Sequence, residues 1–150
     1  MTVINTLPIL IEESQDDGYV VANVAFTELG GGVVEDVTLS GATSDLSVQV
    51  PQGARIEAVT ARVMEAVTGG GVTGFNVGDA GDGGGLAANA TRYASALGIS
   101  AGATGGGFAG AVTVAYDGAV TIRLAAIGGT FSGGRVRVRA SWTPLTLPEA

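Results

Sequence analysis

Residues 112–124 read Val-Thr-Val-Ala-Tyr-Asp-Gly-Ala-Val-Thr-Ile-Arg-Leu, and this stretch is the clearest indication of the fold. Two runs of alternating apolar residues flank Asp117-Gly118, a pair that favours a two-residue turn between antiparallel strands. The sequence therefore predicts a β-hairpin. Alternate positions of both runs would then face the core: Val112, Val114, Tyr116, Val120, Ile122 and Leu124.

Short runs rich in Val, Ile and Thr recur along the chain, separated by glycine clusters that suit tight turns. We expect further strands at residues 33–39, 46–50, 55–67, 72–77 and 135–142. A total of about seven or eight strands, without strong helices between them, is typical of sandwiches and jelly rolls. The predicted fold is all-β: a single-domain β-sandwich or jelly roll with an extended N-terminal arm.

For two segments the sequence is compatible with either a helix or a strand. The valines of residues 19–29 favour a strand, whereas Ser14 and Asp16 before them could cap a helix. Residues 78–107 are expected to form a long irregular region, of a kind that is often functional or interfacial. Within that region, residues 88–97 are compatible with a short helix or with a strand.

The chain of 150 residues is long enough for one domain of ordinary size. We divide it into an N-terminal arm, residues 1–29, and a β-sandwich domain, residues 30–150. The arm holds an apolar segment followed by the acidic pairs Glu12-Glu13 and Asp16-Asp17. We expect the apolar segment to anchor the chain in an assembly, with an ordinary edge strand as the alternative: Leu7, Pro8, Ile9, Leu10 and Ile11.

Composition indicates an oligomer or a larger assembly. Charged residues make up 14% of the chain, against roughly 25% in an average soluble domain, and the mean hydropathy is +0.41. A homo-oligomer, with a trimer favoured, would cover the surplus apolar surface; the alternative is a monomer whose hydropathy reflects its alanines. The net charge of −7 argues against nucleic acid and anionic membranes as partners.

Reactive side chains are scarce. The chain has no His, no Cys and no Lys, so the usual general bases, thiol nucleophiles and Schiff-base amines are missing. A carboxylate pair can hydrolyse a glycoside, but a chain with 14 acidic residues always offers some pair. We expect no enzymatic activity and no cofactor.

Asp79 and Asp82 are weak candidates for a metal site. They lie on a glycine-rich stretch, and Ca²⁺ prefers carboxylate and carbonyl oxygens. Their spacing does not fit the EF-hand pattern, so a solvated turn is the favoured interpretation.

Arg135, Arg137 and Arg139 alternate with valines and share one face of a predicted strand that ends near Trp142. Neighbouring like charges repel and require carboxylates or solvent. The arginines are candidates for contact with an anionic glycan or another subunit, although a solvated face with cross-strand Asp or Glu is favoured. Trp142 is a candidate for stacking on sugar rings, with core packing the favoured alternative.

Several motifs resemble a known family. Phe75-Asn76-Val77-Gly78, Gly84-Gly85-Leu86 and the stretch Gly-Gly-Thr-Phe-Ser-Gly-Gly-Arg-Val-Arg at residues 128–137 resemble a C-terminal domain of uncharacterised fibre proteins. These proteins occur in alphaproteobacterial prophages and in the head spikes of gene transfer agents. The resemblance covers residues 48–142, with a weaker likeness at residues 7–29. It implies an oligomeric virion surface protein with a β-rich tip and no catalytic residues.

The expected function is therefore a structural protein on the exterior of a tailed phage or phage-like particle, assembled in the host cytoplasm. It would be a short head spike or fibre that contacts the major capsid protein or other virion proteins and adsorbs to a host surface glycan. One alternative is a capsid decoration (cement) protein that stabilises the lattice. Another alternative is a cellular carbohydrate-binding module.

Overall fold

The computed structural model describes residues 31–145, without the side chains of residues 108–112. These residues form eight β-strands. Their bounds are β1 Gly31–Thr38, β2 Thr43–Asp45, β3 Ala54–Thr68, β4 Gly74–Asp79, β5 Asn89–Leu97, β6 Thr104–Val114, β7 Ile122–Ile127 and β8 Gly133–Pro144.

The strands form two four-stranded sheets. Sheet A has the order β1-β8-β3-β6 and sheet B the order β2-β7-β4-β5. Buried side chains of both sheets belong to one apolar cluster, for example Val63 and Val138 from sheet A with Phe75 and Leu124 from sheet B. The predicted all-β fold is confirmed as a β-sandwich.

The long strand β3 supports the interpretation of residues 55–67 as a strand. Its residues alternate between the core and the outer face: Val59, Ala61 and Val63 are buried, whereas Thr60 and Arg62 are exposed. The register with both neighbouring strands shifts between Ile56 and Ala58, as at a β-bulge. The bulge allows Ile56 and Val59 both to face the core although they are three positions apart.

The predicted hairpin at residues 112–124 is wrong. β6 ends at Val114 and pairs with β3 in sheet A, whereas β7 begins at Ile122 and pairs with β2 and β4 in sheet B. Both runs still bury apolar side chains: Val114 is buried, and Ala115, Ile122 and Leu124 belong to the common apolar cluster. The runs lie in opposite layers, so apolar residues on both sides of Asp117-Gly118 do not by themselves indicate pairing in one sheet.

Contacts on Asp117 explain why Asp117-Gly118 does not make a hairpin turn. The Asp117 backbone N–H donates to Asp82 at 3.0 Å, and the Asp117 carboxylate accepts the Gly85 N–H at 2.6 Å. The turn is thus held by the loop of residues 80–88. Tyr116, predicted to face the core, has 55% of its surface exposed.

Residues 78–107 are not the long irregular region that we expected. They contain β5, which pairs with β4, and the start of β6. The short-helix interpretation of residues 88–97 is wrong, because this segment forms the edge strand of sheet B and buries Tyr93 and Leu97. Ala96 has φ 55, and its N–H donates to Asn76 Oδ1 at 2.9 Å, so an irregularity in β5 disguises the strand periodicity.

Smaller displacements affect two other strands. No strand forms at residues 46–50 as expected. The strand in this region, β2, lies just before them at Thr43–Asp45, and Val50 makes only an isolated bridge to Val120. The strand expected at residues 72–77 begins and ends two residues later, as β4.

From Gly32 onward, the described residues belong to one compact unit. The predicted boundary between residues 29 and 30, and the undecided segment 19–29, lie outside the described residues and stay predictions.

Candidate functional site

Three arginines meet on the outer face of sheet A. In the antiparallel register of β3 and β8, Arg62 lies opposite Arg137 and Thr60 lies opposite Arg139. All four side chains point away from the core, because the alternate positions Ala61, Val136 and Val138 are buried. Like charges directly opposite each other across two strands are destabilising. Such an arrangement therefore calls for a negatively charged partner.

These arginines line an open cleft of about 460 Å³, which we call the arginine cleft. Its lining residues are Val34, Thr60, Ala61, Arg62, Thr104, Gly105, Gly106, Arg137 and Arg139.

Two glycines of β6 form part of the cleft beside β3. Gly105 pairs with Ala61 and Gly106 with Thr60. Gly106 has φ +102, and a Cβ there would lie 2.3 Å from the Val59 carbonyl oxygen. Only glycine fits that position. The cleft is thus bounded by arginine side chains on β3 and β8 and by bare backbone on β6.

Carboxylates of the chain itself hold two of the predicted ladder arginines. Arg137 Nε donates to Asp36 Oδ1 at 2.6 Å, and Arg135 Nη1 donates to Asp36 Oδ2 at 2.6 Å. Arg135 also donates to Glu65 at 3.0 Å. The hydrogen bond from Arg137, with that from Arg135, lowers the pKa of the Asp36 carboxyl from 3.8 to about 2. These are the cross-strand carboxylates that a solvated arginine face requires.

The remaining carboxylates of residues 31–145 are also engaged. Ion pairs join Asp45 to Arg123, Asp79 to Arg92 and Glu57 to Arg55. Glu35, Asp82 and Asp117 accept backbone N–H groups.

Arg62 and Arg139 are the exceptions among the charged residues. Within the part of the chain that the structure describes, neither has a hydrogen-bonded or ion-paired carboxylate. Both line the arginine cleft. The cleft therefore presents two cations that the described residues leave unneutralised.

Asp79, the first candidate metal ligand, is held by three donors. Arg92 Nε donates to it at 2.6 Å, the Tyr93 hydroxyl at 2.7 Å and the Gly81 N–H at 3.0 Å. Its side chain is fully buried. Burial, reinforced by the hydrogen bond to Asp79, raises the pKa of the Tyr93 hydroxyl far above its usual range, so Tyr93 stays a neutral donor.

Asp82, the second candidate, organises the loop beside it. Its carboxylate accepts backbone N–H groups from Asp117, Gly84 and Leu86 at 2.9–3.0 Å. The bond from Asp117 is the main cause of its lowered pKa. No group of three or more His, Cys, Asp or Glu side chains in residues 31–145 is placed to hold a metal ion. These contacts give both carboxylates structural roles. The favoured interpretation of a solvated turn is wrong, because both residues are buried, and the weak candidacy as metal ligands is not tested.

The aromatic and N-terminal candidates do not join the cleft. Trp142 is half-buried and packs against the apolar cluster, which is the behaviour of a core anchor. The apolar segment Leu7–Ile11 lies outside the described residues, so its anchoring role stays a prediction.

Sequence reasoning identified Arg137 and Arg139 but missed Arg62 and Thr60. The alternation of residues 55–67 does place Arg62 on the face opposite the core valines. The missing information was the pairing of β3 with β8, which joins residues about 80 positions apart and leaves no local trace in the sequence.

Comparisons with known proteins give little further guidance. No protein-family profile matches the sequence, and no curated protein is similar to it. The chain is similar to a chain of the cyanophage Pam1 capsid asymmetric unit, with 28% sequence identity and a TM-score of 0.46 over 77% of this chain and 87% of that one.

No helix within residues 31–145 is long and apolar enough to cross a membrane.

Proposed function

We propose that this chain is a non-enzymatic structural protein on the exterior of a tailed phage or phage-like particle. The observation that carries the proposal is the arginine cleft, which exposes unneutralised cations on the outer face of an otherwise acidic chain. Such a face is suited to binding a carboxylate-bearing surface. The proposed location on a phage particle rests on the sequence resemblance to phage fibre and head-spike proteins.

The structural roles of the titratable groups support a non-enzymatic function. Every carboxylate in residues 31–145 accepts a hydrogen bond or an ion pair from the protein. A glycosidase would need two carboxylates flanking a substrate site. The arginine cleft has no acidic residue in its lining.

Two forms of the function remain candidates. The sequence resemblance favours a short head spike or fibre that adsorbs to a host glycan. The cleft favours a decoration protein, because none of the described residues that line it carries an aromatic side chain on which a sugar ring could stack. Contact with other virion proteins is common to both forms.

Labelling of intact particles tests the proposal. Antibodies raised against the purified chain should decorate the outside of particles released by cells that encode it, and preincubation with the purified chain should abolish the label. Absence of the chain from purified particles would overturn the proposal. Its copy number relative to the major capsid protein separates the two forms, because a decoration protein covers the lattice and a spike is confined to a few positions.

A glycan array tests the cellular alternative. Tight glycan binding by a stable monomer that is absent from particles would identify a carbohydrate-binding module instead.

A further inference from the structure

The acidic residues within residues 31–145 have partners from the protein, whereas six further acidic residues lie outside that range. The chain has 14 acidic residues, and all of those in residues 31–145 already have donors from the protein. The others are Glu12, Glu13, Asp16, Asp17, Glu28 and Glu149. The two arginines without carboxylate partners both lie in the arginine cleft. The uncompensated cations of the described residues are therefore gathered in one place.

The shape of the cleft suits an extended acidic segment. Arg137 and Arg139 are two residues apart on β8, so their Cα atoms are about 6.6 Å apart, and Arg62 lies on the neighbouring strand about 4.8 Å away. Guanidinium groups bind carboxylates with paired, charge-assisted hydrogen bonds. Val34, with 58% of its surface exposed, adds an apolar contact at the same cleft.

Among the acidic residues outside residues 31–145, one cluster has carboxylates spaced closely enough to meet the arginines of the cleft. Residues 12–17 read Glu-Glu-Ser-Gln-Asp-Asp, and a segment bound in extended form would place these four carboxylates along about 17 Å. Glu28 and Glu149 are isolated from other acids by comparison. The apolar residue Ile11 directly precedes the cluster, as a contact with Val34 would require.

We propose that the arginine cleft binds the acidic segment of residues 12–17 from a second copy of the chain. Each copy then donates one segment and receives another, a head-to-tail arrangement that closes into a ring. The inference rests on the cleft being a contact surface, as in the proposed function, and names a second copy as the occupant. It accounts for the self-association that the low charge content predicts.

Sedimentation velocity of the full-length chain tests the proposal first. Wild type should form a closed oligomer at about 0.1 M NaCl and dissociate at about 1 M, because the Debye length falls from about 10 Å to about 3 Å. A monomer in both conditions, or an oligomer that salt does not weaken, would overturn the proposal.

Matched variants then assign the two halves of the contact. The double variant Arg62→Gln and Arg139→Gln should weaken association at least tenfold, and so should neutralisation of residues 12–17 as E12Q, E13Q, D16N and D17N. The control double variant, Arg55→Gln and Arg123→Gln, also removes two charges, from exposed arginines outside the cleft, and should leave association unchanged. Equal loss in all three, or in none, would contradict the proposal; thermal unfolding monitors the fold of each variant.

Mixing the two defective variants identifies the donor of the segment. A copy with an intact cleft and a copy with an intact segment can still make one junction, so the mixture should form a dimer that neither variant forms alone. If the segment binds the cleft of its own chain, mixing recovers nothing and the proposal of a second copy is wrong. Particle labelling is independent of these results, so failure here leaves the proposed function standing, and the reverse also holds.

Discussion

The buried ion pair between Asp79 and Arg92 allows a sharp test of how sheet B is stabilised. Asp79→Asn keeps the side-chain volume but removes the charge that holds Arg92. The Asp79 side chain has 0% of its surface exposed and that of Arg92 has 18%. Removing one partner of a buried pair costs about 3–5 kcal/mol, because the other charge loses its counter-ion away from water.

The partial exposure of Arg92 sets the expected cost at the lower end of that range. Water can solvate part of the guanidinium once Asp79 is neutral, so we expect a loss of about 3 kcal/mol in the free energy of unfolding. In a domain of this size each kcal/mol shifts Tm by roughly 4 °C. Asp79→Asn should therefore lower Tm by about 12 °C in calorimetry or circular dichroism.

Asp45→Asn is the matched control. Asp45 makes the same two-pronged contact with Arg123, also in sheet B, but both side chains are more than one third exposed, at 38% and 37%. Exposed pairs contribute only about 0–1 kcal/mol, so Tm should fall by a few degrees at most. If the two Asn variants lose the same stability, burial does not govern these pairs and the reasoning is refuted.

Three further predictions follow from the contacts described above. Stability should fall as the pH drops from about 4 towards about 2, because the pKa of Asp36 is lowered in the folded state from 3.8 to about 2. In acid titrations Asp36→Asn should lose this part of the pH dependence of stability. A variant with the same pH profile as wild type would contradict the prediction. Gly129→Ala should cost about 1–3 kcal/mol, because its Cβ would lie 2.0 Å from the Gly70 carbonyl oxygen, whereas Gly70→Ala, with open space, should be nearly neutral in chemical denaturation. Arg62→Gln should leave the chain at least as stable as wild type at about 1 M NaCl, where the proposed oligomer dissociates, since it removes a like charge opposite Arg137. A clear loss of Tm under that condition would refute the unpaired state of Arg62.

The sequence was sufficient for the fold class and for the faces of β3 beyond its bulge, because both depend on local alternation; it misplaced Tyr116, which is exposed. Residues 55–67 show this best: their pattern correctly separates the buried valines from the outward-facing Arg62 and Thr60. Alternation does not say which strand lies beside which. That limit explains the wrong hairpin, since runs in opposite layers that share a core have the same pattern as runs paired in one sheet.

Pairing over long sequence distances also decided what could be predicted of the site. Arg137 and Arg139 were visible as an outward-facing row on one strand. Their neighbour Arg62 comes from β3, and the glycines that leave the cleft open come from β6. The segment of β5 was left open between helix and strand for a different reason, because its irregular register with β4 breaks the period of two.

The order of strands in sheet A has a consequence for synthesis of the protein. β8, the last described strand to leave the ribosome, lies between β1 and β3, and it pairs with β3 from Ala54↔Pro144 to Thr68↔Gly133. Such non-local pairing folds slowly, and sheet A cannot close until residue 144 has been made. The arginine cleft, which takes Arg137 and Arg139 from β8, thus arises only after β8 has been synthesised. Prematurely terminated copies would lack it, and they would be excluded from any assembly that requires this face.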